Sequence, residues 1–204
     1  MGMKMKVLTA FLLLSITVFA GQEVKKLNIG DKAVLTGVKM LAVSGEMVSI
    51  DDARKENGVL IIFSCNTCPF VLRWEGRYAE LKELADKNKV GMLVLNSNYQ
   101  KRNDVESYQE MKVHAKEKKY NFYYVVDKDS RIANAFGGQT TPHAFLFDGD
   151  MRLAYKGAID DNFKSASNVR KAYLKDAISD IGKGENVRLK ETQPVGCSIK
   201  RKLH

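Results

Sequence analysis

Two kinds of hydrophobic pattern alternate along this chain, and their order predicts an architecture. GVLIIF at 58–63 and VGMLVLN at 90–96 are short unbroken apolar runs, as expected of strands buried on both faces. Between them Val71, Trp74, Tyr78, Leu81 and Ala85 recur at spacings of three and four, which predicts an amphipathic helix from about 68 to 87. Strand, helix and strand in that order form a βαβ unit. Upstream, residues 34–50 alternate on either side of Ser44-Gly45 and predict a β-hairpin.

The second half adds a helix near 104–118, with Val105, Tyr108, Met111 and Ala115 as its inward stripe, and a strand at 122–126. Arg131 to Phe136 reads as a short helix stopped by Gly137-Gly138. HAFLF (143–147) and RLAYKG (152–157) flank Asp148-Gly149-Asp150, the signature of an antiparallel hairpin. A last amphipathic helix is predicted at 165–181 through Val169, Tyr173, Leu174, Ala177 and Ile181. The remaining tail, 185–204, has no strong period.

The N-terminus follows a different logic. Lys4 and Lys6 precede an uncharged apolar stretch that ends at Val18-Phe19-Ala20, the pattern of a secretory signal peptide spanning 1–20. Its apolar core is short for a bilayer span, so no stable membrane insertion is expected after cleavage. The expected mature unit is one domain, 21–204, exported to the periplasm. A chain of 204 residues with 45% hydrophobic content can build a core without disulfide staples. The net charge of +9 invites a nucleic-acid reading, but the lysines are dispersed among acids along helix faces. A solvated surface, with no nucleic-acid partner, is the expectation.

Chemistry concentrates at Cys65-Asn66-Thr67-Cys68-Pro69, where the first buried strand meets the helix behind it. A thiol at a helix N-terminus meets unpaired amides and the positive end of the dipole, both of which favour thiolate. Positions three apart in a helical turn lie roughly 5–6 Å from each other, within the span a disulfide tolerates. Proline suits the first helical position, which would make Cys68 the cap. The pair alone leaves three readings open: redox dithiol, half of a metal site, or structural bridge. Cys197, the third cysteine, has no partner in the sequence pattern.

Taken together, GVLIIFSCNTCPFV, LVLNSN, TTPHAFLFD, YKGAIDDN and PVGCSIK resemble the thioredoxin-fold suprafamily. More narrowly, the chain from about 28 to 202 resembles peroxiredoxin-like (AhpC/TSA-related) proteins that carry a thioredoxin-type CxxC. The resemblance implies an α/β thioredoxin-like fold: a central mixed sheet flanked by helices, an N-terminal hairpin and a docked C-terminal tail. It implies a thiol-disulfide oxidoreductase acting on protein thiols and disulfides, without a cofactor, with a membrane-linked electron donor as one expected partner. Cys65 would attack and Cys68 resolve, although Pro69 and the peroxiredoxin comparison favour Cys68 as nucleophile. Pro142 would be cis, and Thr141, Asn66, Thr67 and Pro69 would border the substrate.

Two substitutions weaken a thiol peroxidase, the first alternative. Cys68 takes the peroxidatic place, Cys65 replaces the threonine that holds peroxide, and Pro142 falls where an arginine would be. The second alternative is a copper-binding chaperone with His143 as third ligand, since His114 lies among lysines and His204 ends the chain. No metal is expected. The thioredoxin pattern also places a buried aspartate beneath the pair. The strand offers none, leaving Asp160, Asp161 and Glu75 as substitutes or as solvated surface acids. Trp74 and Tyr78 fit the core. Cys197 is a candidate auxiliary thiol: a second resolving group, an intermolecular link, or a small residue buried in the docked tail.

Overall fold

The computed structural model describes Met1 and residues 26–202; the signal-peptide expectation for 1–20 lies outside the described residues. Among the described residues no helix is long and apolar enough to cross a membrane.

The chain opens with a small hairpin, β1 (Met40–Leu41) against β2 (Met47–Val48), much shorter than the predicted strand pair. A short helix α1 (Ile50–Ala53) follows, started by a capping box in which Ser49 and Asp52 satisfy each other's amides. Then come β3 (Val59–Ser64), α2 (Pro69–Trp74), α3 (Tyr78–Lys87) and β4 (Gly91–Asn96). The single predicted helix of 68–87 is thus two, joined by a 3-10 turn at Glu75–Arg77. The side chains flanking Gly76 explain the break. Glu75 accepts from His114 on α4 (Tyr108–Glu117), whereas Arg77 pairs with Asp160 far along the chain.

The remaining elements are β5 (Tyr123–Val126), α5 (Arg131–Phe136), β6 (Thr140–Thr141), β7 (His143–Phe147), β8 (Leu153–Gly157), α6 (Tyr173–Gly182) and β9 (Cys197–Ser198). The predicted start of α6 at 165 is overturned. Asn162 Oδ1 accepts from the amides of Lys164 and Ser165, and Asp161 Oδ1 from that of Arg170. These side-chain bonds compete with helix and hold a loop with only a 3-10 turn at Ala166–Asn168. Likewise α4 begins at Tyr108, where Ser107 caps it by accepting from Glu110.

The main sheet has order β5-β4-β3-β7-β8, with β3, β4 and β5 parallel and β7 and β8 antiparallel. Leu60 and Ile62 face a core shared with α3, α4 and α6, while Val59, Ile61 and Phe63 face the hairpin, α1 and α5. Burial of both faces is why β3 reads as an unbroken apolar run. This is the mixed sheet flanked by helices expected of a thioredoxin-like fold. The tail is docked: β9 pairs antiparallel with β6 in a separate two-stranded sheet.

Candidate active site

The site forms where parallel β3 ends, the usual location for chemistry in an open α/β sheet. Cys65 follows the last residue of β3 and is 1% exposed. Cys68 is the N-cap of α2 and is 5% exposed, with Pro69 at the first helical position. All three cysteines are free thiols.

A loop from the other side of the sheet closes over them. The Thr141-Pro142 peptide is cis. Thr141 Oγ1 lies 3.4 Å from Cys65 Sγ, and the Thr141 carbonyl oxygen 3.1 Å from Cys68 Sγ. The Cys68 amide donates to Cys65 Sγ at 3.3 Å. From the tail, Cys197 Sγ approaches Cys68 Sγ to 2.7 Å. Cys197 is half-buried and lies against the pair rather than sealed in the core.

The two thiols of the motif sit in opposite electrostatic settings. The Cys65 thiol is pushed up, first by its hydrogen bond to Cys68, then by burial and by the negative charge of Glu106. The Cys68 thiol is pulled well below the ordinary range, first by that same bond to Cys65; burial opposes this, while the Cys197 thiol and the amides of Val71 and Cys197 add to it. The bond between the two thiols thus favours the proton on Cys65 and the charge on Cys68. This direction points the same way as Pro69 at the first helical position, which makes Cys68 the cap of α2. Cys197 is pushed up by burial and by its contact with Cys68.

The buried carboxylate sought beneath the pair is Glu106, which sequence reading missed. It lies in the loop before α4 and is fully buried. Its Oε2 accepts from the Asn66 amide at 2.8 Å and Asn96 Nδ2 at 2.6 Å; its Oε1 accepts from the Thr67 amide at 3.3 Å and hydroxyl at 2.8 Å. Four donors converging on two oxygens suit an ionised, acceptor-only group. They pin both residues between the cysteines. Asn66 is further held by its Nδ2 on the Val105 carbonyl and by Tyr124 OH donating to its Oδ1. No periodicity flags Glu106, because the helical stripe points to Val105 and Tyr108 instead.

The acids considered as substitutes sit elsewhere. Asp160 is buried, not solvated, and accepts from Trp74 Nε1 at 3.0 Å and from Arg77. Glu75, also buried, accepts from His114 Nε2 at 2.8 Å and Tyr120 OH at 3.0 Å. Asp161 is exposed. Trp74 and Tyr78 are buried in the core. His143 is buried rather than partly exposed; its Nδ1 accepts from the Gln139 amide at 3.1 Å and its ring packs on Phe145. Burial and nearby Lys156 hold His143 down to about 3, so it is neutral. Among the described residues no three His, Cys, Asp or Glu side chains are grouped to hold a metal ion.

Residues 29–156 match the AhpC/TSA family. Among solved structures, an uncharacterized conserved protein from Geobacillus kaustophilus is similar with a TM-score of 0.80 and 28% identity, over 87% of this chain and 94% of that one. A hypothetical protein from Sinorhizobium meliloti gives 0.79 and 25%, over 88% and 98%. The thioredoxin domain of a thiol-disulfide oxidoreductase from Bacteroides vulgatus shares the fold at 0.52 and 18%, over 64% and 89%. No curated protein matches the chain.

Proposed function

Because the chain belongs to the AhpC/TSA family, we propose that it is a redox enzyme, and specifically a thiol-disulfide oxidoreductase exchanging disulfides with protein substrates through Cys65 and Cys68. One observation carries this reading: Cys65 and Cys68 meet at the start of α2, with Thr141 against both sulfurs and Cys68 as the cap, its thiol pulled below the ordinary range by its bond to Cys65. Cys68 attacks a substrate disulfide, a mixed disulfide forms, and a second protein thiol releases the product. Asn66 and Thr67, fixed by Glu106, hold the loop so that the reaction changes bonds rather than backbone. Pro69 starts the helix, and Thr141, paired with β9 in this structure, offers its edge to an extended substrate strand when the tail lifts.

Peroxide chemistry is the weaker assignment. Cys68 Sγ is in contact with a carbonyl oxygen and another thiol. Among the described residues no arginine side chain hydrogen-bonds to it to stabilise a leaving oxygen. Lys4, Lys6 and the apolar stretch before Ala20 support action outside the cytoplasm. There a membrane-linked donor would set the direction of electron flow.

The test measures reduction of a protein disulfide and of hydrogen peroxide by the native chain, Cys65→Ser and Cys68→Ser. Disulfide turnover is expected to vanish in Cys68→Ser and to fall in Cys65→Ser. Alkylation of Cys68 is expected to titrate far below the pH of an ordinary thiol, near 8.5. Rapid peroxide turnover that survives Cys65→Ser would replace this reading with a peroxidase.

A further inference from the structure

We propose that Cys197 is a third redox-active thiol, which forms a reversible intrachain disulfide with Cys68 from a tail strand that occupies the substrate edge of the site. The proposal rests on the exchange chemistry assigned above and adds the group that completes it.

Two independent features place the sulfur. The first is register: β9 pairs antiparallel with β6, Thr140 opposite Ser198 and Thr141 opposite Cys197. An extended substrate would use that same edge, so the tail sits as a substrate chain would sit, with its cysteine opposite the residue before Pro142. The second is contact: Cys197 Sγ is 2.7 Å from Cys68 Sγ, only about 0.7 Å beyond the length of an S–S bond.

The docking is built in rather than incidental. Gly196 passes so close to Thr141 that a Cβ there would lie 2.2 Å from its carbonyl oxygen. Beyond Cys197 the tail is anchored by buried Ile199, by the Ile199 amide on the Gln139 carbonyl at 3.1 Å, and by the Lys200 amide on Asn98 Oδ1 at 2.9 Å. Arg201 reaches Asn134 and the Gly138 carbonyl. When a substrate displaces β9 from Thr141, these bonds beyond Cys197 still tether its thiol close to Cys68, which raises its effective concentration.

The bonds balance as follows. Cys68 thiolate attacks a substrate disulfide, R–S–S–R, forming Cys68–S–S–R and releasing one RS⁻. Cys197 then gives up its proton and attacks Cys68 Sγ. The Cys68–Cys197 bond forms as the second RS⁻ leaves and takes that proton. Two protein thiols are oxidised and one substrate disulfide is reduced to two thiols. In reverse, a substrate thiolate attacks Cys68 Sγ and expels Cys197, which takes up a proton; a second substrate thiolate then attacks the substrate sulfur of Cys68–S–S–R, forming R–S–S–R and releasing Cys68, the better leaving group because its thiol is the more acidic.

The experiment treats the native full-length chain, Cys65→Ser and Cys65→Ser/Cys197→Ser with glutathione disulfide. Alkylation of remaining thiols, intact mass and tryptic mapping without reductant follow. Cys65 and Cys68 lie in one tryptic peptide, 56–73, and Cys197 in another, 191–200, so a Cys68–Cys197 bond joins two peptides. Cys65→Ser is expected to lose both remaining thiols, carry no glutathione and yield the joined peptide; the double variant is expected to keep glutathione on Cys68. The joined peptide is also expected from the native chain, which needs no substitution to fold. Glutathione persisting on Cys65→Ser as long as on the double variant, with no joined peptide from either it or the native chain, overturns the proposal while leaving Cys68 exchange intact. A double variant that takes up no glutathione overturns the exchange reading and this proposal together.

Discussion

Replacing Glu106 by glutamine keeps the side chain's shape and removes its charge, so it isolates what the carboxylate does under the two cysteines. In the native chain its oxygens accept four hydrogen bonds, three of them at 2.6–2.8 Å and one at 3.3 Å. Glutamine can keep its oxygen toward the buried Asn66 amide and Asn96, but its NH2 group then faces the amide and hydroxyl of Thr67. The hydroxyl can rotate to accept; the amide cannot. Charge-assisted bonds contribute about 1.5–3 kcal/mol each and neutral ones about 0.5–1.5, so losing the charge on three bonds and orphaning one buried donor costs roughly 4–7 kcal/mol. No longer burying a charge recovers several kcal/mol of that and leaves a net loss of about 2–4 kcal/mol. That is still a large part of a typical stability of about 5–15 kcal/mol. Equilibrium urea unfolding can be followed by the fluorescence of Trp74, the single tryptophan, which is buried. With a slope of about 1–3 kcal/mol per molar urea, the midpoint should fall by about 1–2 M. A purely structural role would stop there. Glu106 also raises the Cys65 thiol, so Glu106→Gln should move the alkylation profile of Cys65 to lower pH. A variant with unchanged urea midpoint and unchanged thiol titration would refute this account of the loop.

Three further outcomes follow from the same geometry. His143 is held down to about 3 against an unfolded value near 6.5, so the unfolded chain binds the extra proton between those values. Stability is complete above pH 6.5 and falls with pH by up to about 1.4 kcal/mol per unit, and His143→Gln should flatten that slope between pH 6.5 and 5, where carboxylates are still quiet. Arg77 and Asp160 form a buried ion pair, so Arg77→Met, which leaves the carboxylate uncompensated, should destabilise by about 3–5 kcal/mol in urea; a loss below 1 kcal/mol would show that Trp74 and the Asn162 amide suffice for Asp160. Gly196→Ala places a Cβ against the Thr141 carbonyl and should release the β6–β9 pairing. Faster trypsin cleavage in the tail and faster alkylation of Cys68, with little change in global unfolding, are expected; unchanged rates would mean that the tail does not cover the thiols.

What the chain's local pattern determined is considerable, because burial on two sheet faces and on one helix face leaves a periodic trace. The runs at 58–63, 90–96 and 143–147 correspond to β3, β4 and β7, and Arg131 to Phe136 is α5. The CxxC spacing, the helix behind it and the proline before β7 were all legible. Local pattern failed where a side chain's partner is distant. The turn at Glu75–Arg77 depends on partners at 114 and 160, and the loop at 165–172 on Asn162 and Asp161 accepting amides that a helix would have used. Glu106, 40 residues from the Asn66 amide it accepts from, looks in sequence like any acid before a helix. Cys197, 129 residues from Cys68, has no spacing to betray it. The sequence alone therefore determined that two vicinal thiols lie at the mouth of a sheet. Only the tertiary structure decided which groups surround each of them and which third thiol meets them, because proximity depends on groups that long-range folding, not chain order, brings within a few ångströms.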